Sequence, residues 1–175
     1  MDLPATSTGS TTKRRRLPRN VAGLALACLF AALAQADPTL LPPQEAFRFS
    51  ARALDERTLE ARFSVVDGYY LYRDKMRFAL EPGMTDITVT LPPGKVKEDQ
   101  FFGKVETYRG DVVVRVPLSQ AAARSVVLVA DSQGCADAGV CYPATRQKVT
   151  LAVPEPGKGP GPVVEAYPRK KNWFN

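Results

Sequence analysis

The alternation of apolar and polar side chains at every second position restricts the fold of this chain more than any other feature. Phe47, Phe49 and Ala51 alternate with polar residues, and the same pattern returns over residues 59–65. Successive side chains of a β-strand point to opposite faces of a sheet, so such segments are typical of strands with one buried face. The pattern predicts a β-protein.

Turn-forming residues divide the following part of the chain into short segments of the same kind. They include Asp67-Gly68, Pro82-Gly83, Pro92-Pro93-Gly94 and Arg109-Gly110-Asp111. The segments between them predict further strands at residues 69–72, 76–80, 87–91, 104–108, 112–116, 126–130 and 147–153. Short strands at roughly ten-residue spacing, without a convincing amphipathic helix between them, favour an all-β antiparallel sandwich of immunoglobulin-like type. A β-barrel is the alternative.

The first 36 residues have the pattern of a cleaved signal peptide. Basic residues at positions 13–16 and 19 precede an apolar run at 21–34, and Ala34-Gln35-Ala36 supplies the small residues that signal peptidase reads. An uncleaved membrane anchor is the first alternative, although this run would rise only about 21 Å as a helix, against roughly 30 Å for the hydrocarbon core. Lipoprotein processing at Cys28 and twin-arginine export through Arg15-Arg16 are further alternatives with incomplete motifs.

The basic character of the chain is concentrated in this segment. Residues 1–36 contain five basic residues and one acidic residue, so their removal lowers the formal net charge from +6 to +2. The remaining sequence has no basic stripe interleaved with aromatic residues. Nucleic-acid binding is therefore excluded as the function.

One domain accounts for the chain after the signal segment. About 139 residues would remain after cleavage, which is enough for a single hydrophobic core. Residues 154–162 are rich in proline and glycine and are typical of an extended linker. We expect residues 37–153 to form the domain and residues 154–175 to form a linker and a C-terminal tail. That tail contains Arg169-Lys170-Lys171 and Trp173-Phe174, which could contact a membrane surface or a partner. We expect a solvated tail instead, which is the commoner role of such a segment.

Cys135 and Cys141 are the only cysteines of the predicted mature chain, and five small or turn-forming residues separate them. This spacing allows the two side chains to face each other across a hairpin loop. A structural disulfide is the usual role of such a pair in an exported protein. However, closing a loop of about seven residues removes only about 2.4 kcal/mol of unfolded-chain entropy, so a bond this local would stabilise the domain little.

The absence of histidine from the sequence limits the other chemistry that these cysteines could support. Two thiolates alone make a poor tetrahedral metal site, and a serine or cysteine nucleophile would lack a histidine base. Thiol-disulfide exchange requires only the two sulfur atoms. The sequence therefore favours a redox function without a metal or bound cofactor. A non-enzymatic immunoglobulin-like binding module with a structural disulfide is the alternative.

Four segments together resemble a known family. They read DGYYLYR at 67–73, EDQFFGK at 98–104, YR at 108–109 and QGCADAGVCYP at 133–143. In combination they closely resemble the N-terminal periplasmic domain of the thiol:disulfide interchange protein DsbD family, over roughly residues 41–153. The resemblance implies an immunoglobulin-like periplasmic domain that accepts electrons from a thioredoxin-like domain and reduces oxidised periplasmic proteins. The implied partners are thioredoxin-like proteins, disulfide isomerases, thiol carriers of cytochrome c maturation and a membrane electron-transfer protein.

The resemblance also assigns roles to individual residues. It implies a redox-active disulfide between Cys135 and Cys141, with Cys141 forming mixed disulfides and Cys135 resolving them. It implies a cap loop over this pair, formed here by Asp99, Gln100, Phe101, Phe102 and Gly103. Within the loop we expect Phe101 to be the shielding ring, and we expect Phe102 to pack in the core.

The same resemblance places Asp99, Tyr70 and Tyr72 close to the cysteines. A nearby carboxylate disfavours a thiolate and should raise the pKa of the thiol, and tyrosine hydroxyls can hold that carboxylate by hydrogen bonds. Gln100 stands where the family pattern commonly has an acidic residue, so this cap loop carries less negative charge.

Family members continue into a transmembrane electron-transfer domain and a thioredoxin-like domain, whereas this sequence stops at Asn175. We therefore expect a freestanding module that is reduced by a separate membrane protein or a thioredoxin-like partner. A truncated gene product is the alternative.

Overall fold

The computed structural model describes residues 40–82, 85–118 and 124–168. The predicted signal segment, residues 1–36, lies outside these ranges. The described part is almost entirely β-structure, with one short helix, α1 (Pro43–Ala46), and a single 3-10 turn at Arg73–Lys75. No helix in these ranges has the length and apolar character needed to cross a bilayer.

Twelve strands run through the described ranges, and all of their pairings are antiparallel. They are β1 (Phe47–Ala53), β2 (Thr58–Val65), β3 (Tyr69–Tyr72), β4 (Arg77–Glu81), β5 (Thr85–Asp86), β6 (Lys95–Asp99), β7 (Gly103–Tyr108), β8 (Gly110–Pro117), β9 (Ser125–Ser132), β10 (Gly134–Ala136), β11 (Thr145–Ala152) and β12 (Val164–Glu165).

The strands form three sheets of four strands each. Sheet 1 has the order β12-β1-β2-β8, sheet 2 has β10-β3-β7-β6, and sheet 3 has β11-β9-β4-β5. The period-two pattern of the sequence determines which residues of these strands are buried. In β1, for example, Phe49 is buried and pairs with Phe63 of β2, and the two ring centroids are 4.9 Å apart.

The apolar faces of these strands form one main core. It takes Leu59 from β2, Val114 from β8, Leu128 from β9 and Leu151 from β11, each 1 % exposed or less. Burying a side chain of this size stabilises a fold by about 1.5–3 kcal/mol, so such positions dominate the stability of the domain. The predicted all-β, immunoglobulin-like antiparallel fold is confirmed.

The prediction of a strand at residues 87–91 is wrong. Only β5, ahead of it, pairs with β4, and the ladder ends where the Ile87 amide donates to the Phe78 carbonyl at 2.9 Å. Because β4 begins at Arg77, the chain beyond Ile87 soon runs past the end of its partner. The alternation detected in the sequence is nevertheless real, since Ile87, Val89 and Leu91 pack half-buried against the core.

Besides the two-residue β5, three strands were not predicted, and two of them carry residues expected at the cysteine pair, Asp99 in β6 and Cys135 in β10. The strand β6 is mostly exposed and polar, and β10 has only three residues, so neither shows a period-two signal. The third, β12, lies in the segment interpreted as a tail and pairs with β1 through Val164 and Glu165.

Candidate functional site

The two cysteines form a disulfide across the base of a short loop. Cys135 lies in β10, Cys141 lies opposite it in an isolated antiparallel bridge, and their Cα atoms are 4.0 Å apart. The loop is closed by a hydrogen bond from the Ala136 amide to the Val140 carbonyl at 2.8 Å. Gly139 turns the chain with φ of +85°, in the left-handed region that glycine adopts most readily. The spacing of the cysteines thus corresponds to a hairpin in the structure.

The environments of the two cysteines differ. Cys135 is 0 % exposed and belongs to a small buried cluster with Tyr70 and Tyr72, whereas Cys141 is half-buried. Residues 137–140 between them, which we call the cysteine loop, are exposed. A thiol from another protein can therefore approach the disulfide from the side of Cys141.

Gly134 allows β10 to approach β3 closely enough to bury Cys135. A Cβ atom at this position would lie 2.3 Å from the Tyr70 carbonyl oxygen and 2.7 Å from the ring of Phe47. The pairing sets Cys135 directly opposite Tyr70. Because side chains two residues apart share a face of a strand, Tyr72 points to the same side as Tyr70 and Cys135.

Asp99 is the centre of a buried hydrogen-bond network next to the disulfide. Its Oδ2 atom accepts hydrogen bonds from the hydroxyls of Tyr70 at 2.7 Å and Tyr72 at 3.0 Å. The Tyr72 hydroxyl also lies 3.0 Å from the Cys135 sulfur and 3.7 Å from the Cys141 sulfur. One tyrosine therefore links the carboxylate to both sulfur atoms.

The pKa values of this network follow from burial and hydrogen bonding. Burial raises the pKa of Asp99, but the hydrogen bonds from Tyr70, the Phe101 amide, Tyr72 and the Phe102 amide outweigh it and lower this pKa to about 2. Burial, with contributions from Tyr70 and Asp99, raises the pKa of Tyr72 well above its usual range. At neutral pH the carboxylate is thus ionised and the Tyr72 hydroxyl keeps its proton.

The predicted cap loop is the tip of the hairpin between β6 and β7. Asp99 ends β6. Its Oδ1 atom accepts hydrogen bonds from the backbone amides of Phe101 at 2.9 Å and Phe102 at 3.2 Å, and these bonds stabilise the turn. Gly103 begins β7 with φ of +67°. Gln100 reaches across to the cysteine loop, where its Nε2 donates to the Gly139 carbonyl at 3.5 Å. The hairpin tip and the cysteine loop are therefore neighbours.

The two phenylalanines of the cap loop are both exposed, so the assignment of Phe102 to the core is wrong. Phe102 is 46 % exposed, and its ring contacts Tyr72 edge-on with centroids 5.1 Å apart. The Lys75 ammonium lies 5.0 Å from the same ring centroid. Phe101 is 54 % exposed, and its role as the shielding ring stays a prediction. The ring that the structure places against the tyrosine network is Phe102.

Arg109 and Lys97 are functional candidates that the sequence did not single out. Arg109 forms two hydrogen bonds with the Asp137 carboxylate of the cysteine loop, and Lys97 lies 3.7 Å from Asp99 Oδ2. Both cations also contact the Tyr70 ring, at 5.3 Å and 4.7 Å from its centroid. Arg109 lies in a segment that carried the resemblance, but no local pattern could reveal a pair 28 residues apart.

The described ranges contain no cluster of three or more histidine, cysteine, aspartate or glutamate side chains placed to hold a metal ion.

A family model described as "Thiol:disulfide interchange protein DsbD, N-terminal" matches residues 37–153. Among curated relatives, the chain is 44 % identical to the thiol:disulfide interchange protein DsbD of Ralstonia nicotianae over 153 residues, which cover 84 % of the chain and 25 % of the relative. It is 38 % identical to DsbD of Escherichia coli K12, over 64 % of the chain and 19 % of the relative. The chain thus corresponds to about a quarter of the length of such relatives, or less.

Solved structures agree with this similarity. The N-terminal domain of Neisseria meningitidis DsbD, solved in the reduced form, is 30 % identical and superposes with a TM-score of 0.61, covering 72 % of this chain and 94 % of that one. A complex between the DsbD N-terminal and PilB N-terminal domains from the same organism gives 32 % identity and a TM-score of 0.55. This match covers 69 % of the chain and 95 % of the solved one.

Proposed function

The chain belongs to the family of DsbD N-terminal domains, and from that membership we propose that it is a periplasmic thiol-disulfide exchange module working through Cys135 and Cys141. It accepts two electrons from a thioredoxin-like or membrane-bound reductant and passes them to oxidised periplasmic proteins. The observation that carries this proposal is the disulfide itself, in which one sulfur belongs to a buried residue and the other to a half-buried residue beside an exposed loop.

Reduction of the module begins at Cys141. A thiolate of the reduced partner attacks the Cys141 sulfur, the bond to Cys135 breaks, and Cys135 leaves as a thiolate that takes up a proton. The second thiolate of the partner then attacks the partner's first sulfur, which is bonded to Cys141 in the mixed disulfide. Cys141 is released as a thiolate, which is also protonated. Two electrons and two protons have then moved from the partner dithiol to this domain.

Transfer to a substrate reverses these steps. The Cys141 thiolate attacks a disulfide of the oxidised protein, one substrate sulfur leaves as a thiolate, and a mixed disulfide forms. The Cys135 thiolate then attacks Cys141, which restores the intramolecular disulfide and releases the second substrate sulfur. No bound cofactor takes part, because the two cysteines carry both electrons.

The tyrosine and carboxylate network controls when Cys135 becomes reactive. The proton of the Tyr72 hydroxyl is donated to Asp99, so the Tyr72 oxygen can accept a hydrogen bond from a Cys135 thiol in the reduced protein. Hydrogen bonding to the neutral form and the nearby negative charge both raise the pKa of a thiol. The reduced pair thus stays protonated and unreactive until a docked partner changes its surroundings.

The cap loop protects the pair from small oxidants. Phe101 and Phe102 expose large apolar surfaces at its tip, and Gln100 holds this tip beside the cysteine loop. A docking partner can displace these rings and cover the apolar surface that they leave. Thioredoxin-like proteins, disulfide isomerases and thiol carriers of cytochrome c maturation are the proposed partners, with a membrane electron-transfer protein as a further donor. The complex formed by the neisserial relative supports docking of this kind.

Trapping of a mixed disulfide tests the proposal. The probe is a thioredoxin-like domain with a single cysteine, activated as a mixed disulfide with thionitrobenzoate. We expect reduced Cys135→Ala to release thionitrobenzoate and form a stable covalent complex through Cys141. The matched Cys141→Ala variant should react at least tenfold more slowly, because its remaining thiol is buried.

A wild-type protein that fails to reduce any thioredoxin-like protein would contradict the proposed function. Equal reactivity of the two single-cysteine variants would contradict the assignment of Cys141 as the attacking sulfur. Cys135→Ser combined with Cys141→Ser separates exchange from binding: all exchange should be lost, while the domain should lose no more than about 3 kcal/mol of stability. Normal binding of a partner protein by this double variant would favour a non-enzymatic binding module.

A further inference from the structure

Arg109 occupies the single-residue connection between β7 and β8 and reaches the cysteine loop. Its Nη1 atom donates to Asp137 Oδ2 at 2.9 Å and to the Tyr69 carbonyl at 3.1 Å, and its Nη2 atom donates to Asp137 Oδ1. The guanidinium also lies 5.3 Å from the centroid of the Tyr70 ring. One side chain thus ties the cysteine loop to β3.

The position of Asp137 brings its hydrogen bonds with Arg109 close to the disulfide. Asp137 follows Cys135 by two residues, and its own amide donates to the Gly68 carbonyl at 2.7 Å. Both its backbone and its carboxylate are therefore held by residues outside the cysteine loop. Two parallel hydrogen bonds between a guanidinium and a carboxylate fix orientation as well as distance, which a single charge contact does not.

The rest of the loop is held more weakly. Residues 138–140 are exposed, and the contact of this part with the cap loop is the long hydrogen bond from Gln100 to the Gly139 carbonyl at 3.5 Å. The half of the hairpin that follows Cys135 is thus anchored to Gly68 and Arg109, outside the loop. Residues 138–140 are held by hydrogen bonds within the hairpin, such as that from the Ala136 amide to the Val140 carbonyl at 2.8 Å, and by Gln100. This asymmetry matches the two roles that the exchange reaction requires.

We propose that Arg109 is a positioning residue that keeps Cys135 in place when the disulfide opens, so that the resolving sulfur remains close to Cys141. The proposal rests on the proposed function. A partner dithiol supplies two electrons and two protons, the sulfur–sulfur bond becomes two thiols, and the partner leaves as a disulfide. The pair of Arg109 and Asp137 is not part of this reaction and persists through it.

Holding Cys135 in place affects the equilibrium between disulfide and dithiol. Two groups held close together react as if each were present at a high effective concentration, and a loose loop lowers this concentration. Loss of the hydrogen bonds between Arg109 and Asp137 should therefore leave the disulfide less stable relative to the dithiol. The reduction potential would rise, and a mixed disulfide on Cys141 would be resolved more slowly.

The test measures the equilibrium of Cys135 and Cys141 with reduced and oxidised dithiothreitol. We expect Arg109→Gln to shift the equilibrium constant about threefold to tenfold toward the dithiol, which corresponds to about 15–30 mV. Asp137→Asn should produce a similar shift, and the double variant should add little, because both changes remove one interaction. Arg109→Lys should restore only part of the wild-type value, since an ammonium cannot form the two parallel hydrogen bonds.

The matched control is Arg146→Gln. Arg146 also forms two hydrogen bonds with one carboxylate, that of Asp131, on the exposed face of sheet 3. Its loss should leave the potential unchanged. A wild-type potential in both Arg109→Gln and Asp137→Asn would overturn the proposal, as would an equal shift in Arg146→Gln or full restoration by Arg109→Lys.

The dithiothreitol equilibrium does not depend on any protein partner. Failure of the wild-type protein to exchange with thioredoxin-like proteins would contradict the proposed function. A missing shift in the Arg109 and Asp137 variants would contradict only the positioning role. If Arg109→Gln does not fold, Asp137→Asn alone decides the outcome.

Discussion

Replacement of Asp99 by asparagine should change how the stability of the oxidised domain depends on pH. The Asp99 side chain is 0 % exposed and accepts hydrogen bonds from two tyrosine hydroxyls and two backbone amides. Asparagine has nearly the same shape, and its side-chain oxygen can still accept hydrogen bonds from the two backbone amides. Its amino group, however, would face the hydroxyls of Tyr70 and Tyr72, which now donate to a carboxylate oxygen.

The magnitude follows from the pKa of Asp99. This pKa is about 2 in the folded protein, against about 3.9 for an aspartate in an unfolded chain. A lowered pKa means that the folded state favours the charged form. The stabilisation is therefore fully present above the pKa of the unfolded state, and it disappears as the pH falls through the pKa of the folded state. The difference corresponds to about 2–3 kcal/mol at neutral pH, of which about half should be lost by pH 3.

Urea denaturation of the oxidised wild-type and Asp99→Asn proteins between pH 2 and pH 7 measures this effect. The difference in unfolding free energy between them should shrink by about 2 kcal/mol between pH 5 and pH 2. Asp111→Asn is the matched control, because Asp111 is bonded to Arg62 and Ser64 at an exposed site and should contribute less than about 1 kcal/mol. A wild-type advantage that does not change with pH would refute the assignment of a strongly lowered pKa to Asp99.

Three other outcomes follow from the same site. In the reduced protein, Asp99→Asn should lower the pKa of the cysteine thiols, because a nearby negative charge is removed. Titration followed by thiolate absorbance measures this pKa, and an unchanged or higher value would contradict the prediction. Tyr72→Phe should destabilise the domain by about 1–3 kcal/mol in thermal or urea unfolding, since it removes a hydrogen bond to a buried carboxylate, and a loss no larger than that of an exposed tyrosine variant would count against the network. Gly134→Ala should cost about 3 kcal/mol, because the new methyl group overlaps the Tyr70 carbonyl and the Phe47 ring, and wild-type stability would show that β10 does not pack as described.

The sheets of the core were predictable because burial on one face leaves a period-two signal. Phe47, Phe49 and Ala51 carry that signal, and β1 runs from Phe47 to Ala53. The same signal misled at residues 87–91, since it reports burial of alternate side chains and not the presence of a partner strand. Ile87 is packed against the core, although the ladder ends there.

Features that depend on contacts between distant segments could not be predicted from local pattern. The strand β6 is mostly exposed, and it is a strand because β7 folds back on it from the Asp99 turn. Phe102, which the sequence and the resemblance placed in the core, faces Tyr72 with its ring from a half-exposed position. The pairing of Arg109 with Asp137 likewise requires the fold to bring two turns together.

The central claim is that the disulfide between Cys135 and Cys141 opens and closes by exchange with other proteins, and its reduction potential tests that claim most directly. Equilibration of the domain with dithiothreitol or glutathione buffers gives the value. Structural disulfides of exported proteins usually have potentials below about −300 mV, and exchange catalysts have higher ones. The account predicts a value above that limit for the wild-type protein. A value well below it, or a bond that mild reductants leave intact in the folded domain, would contradict the account.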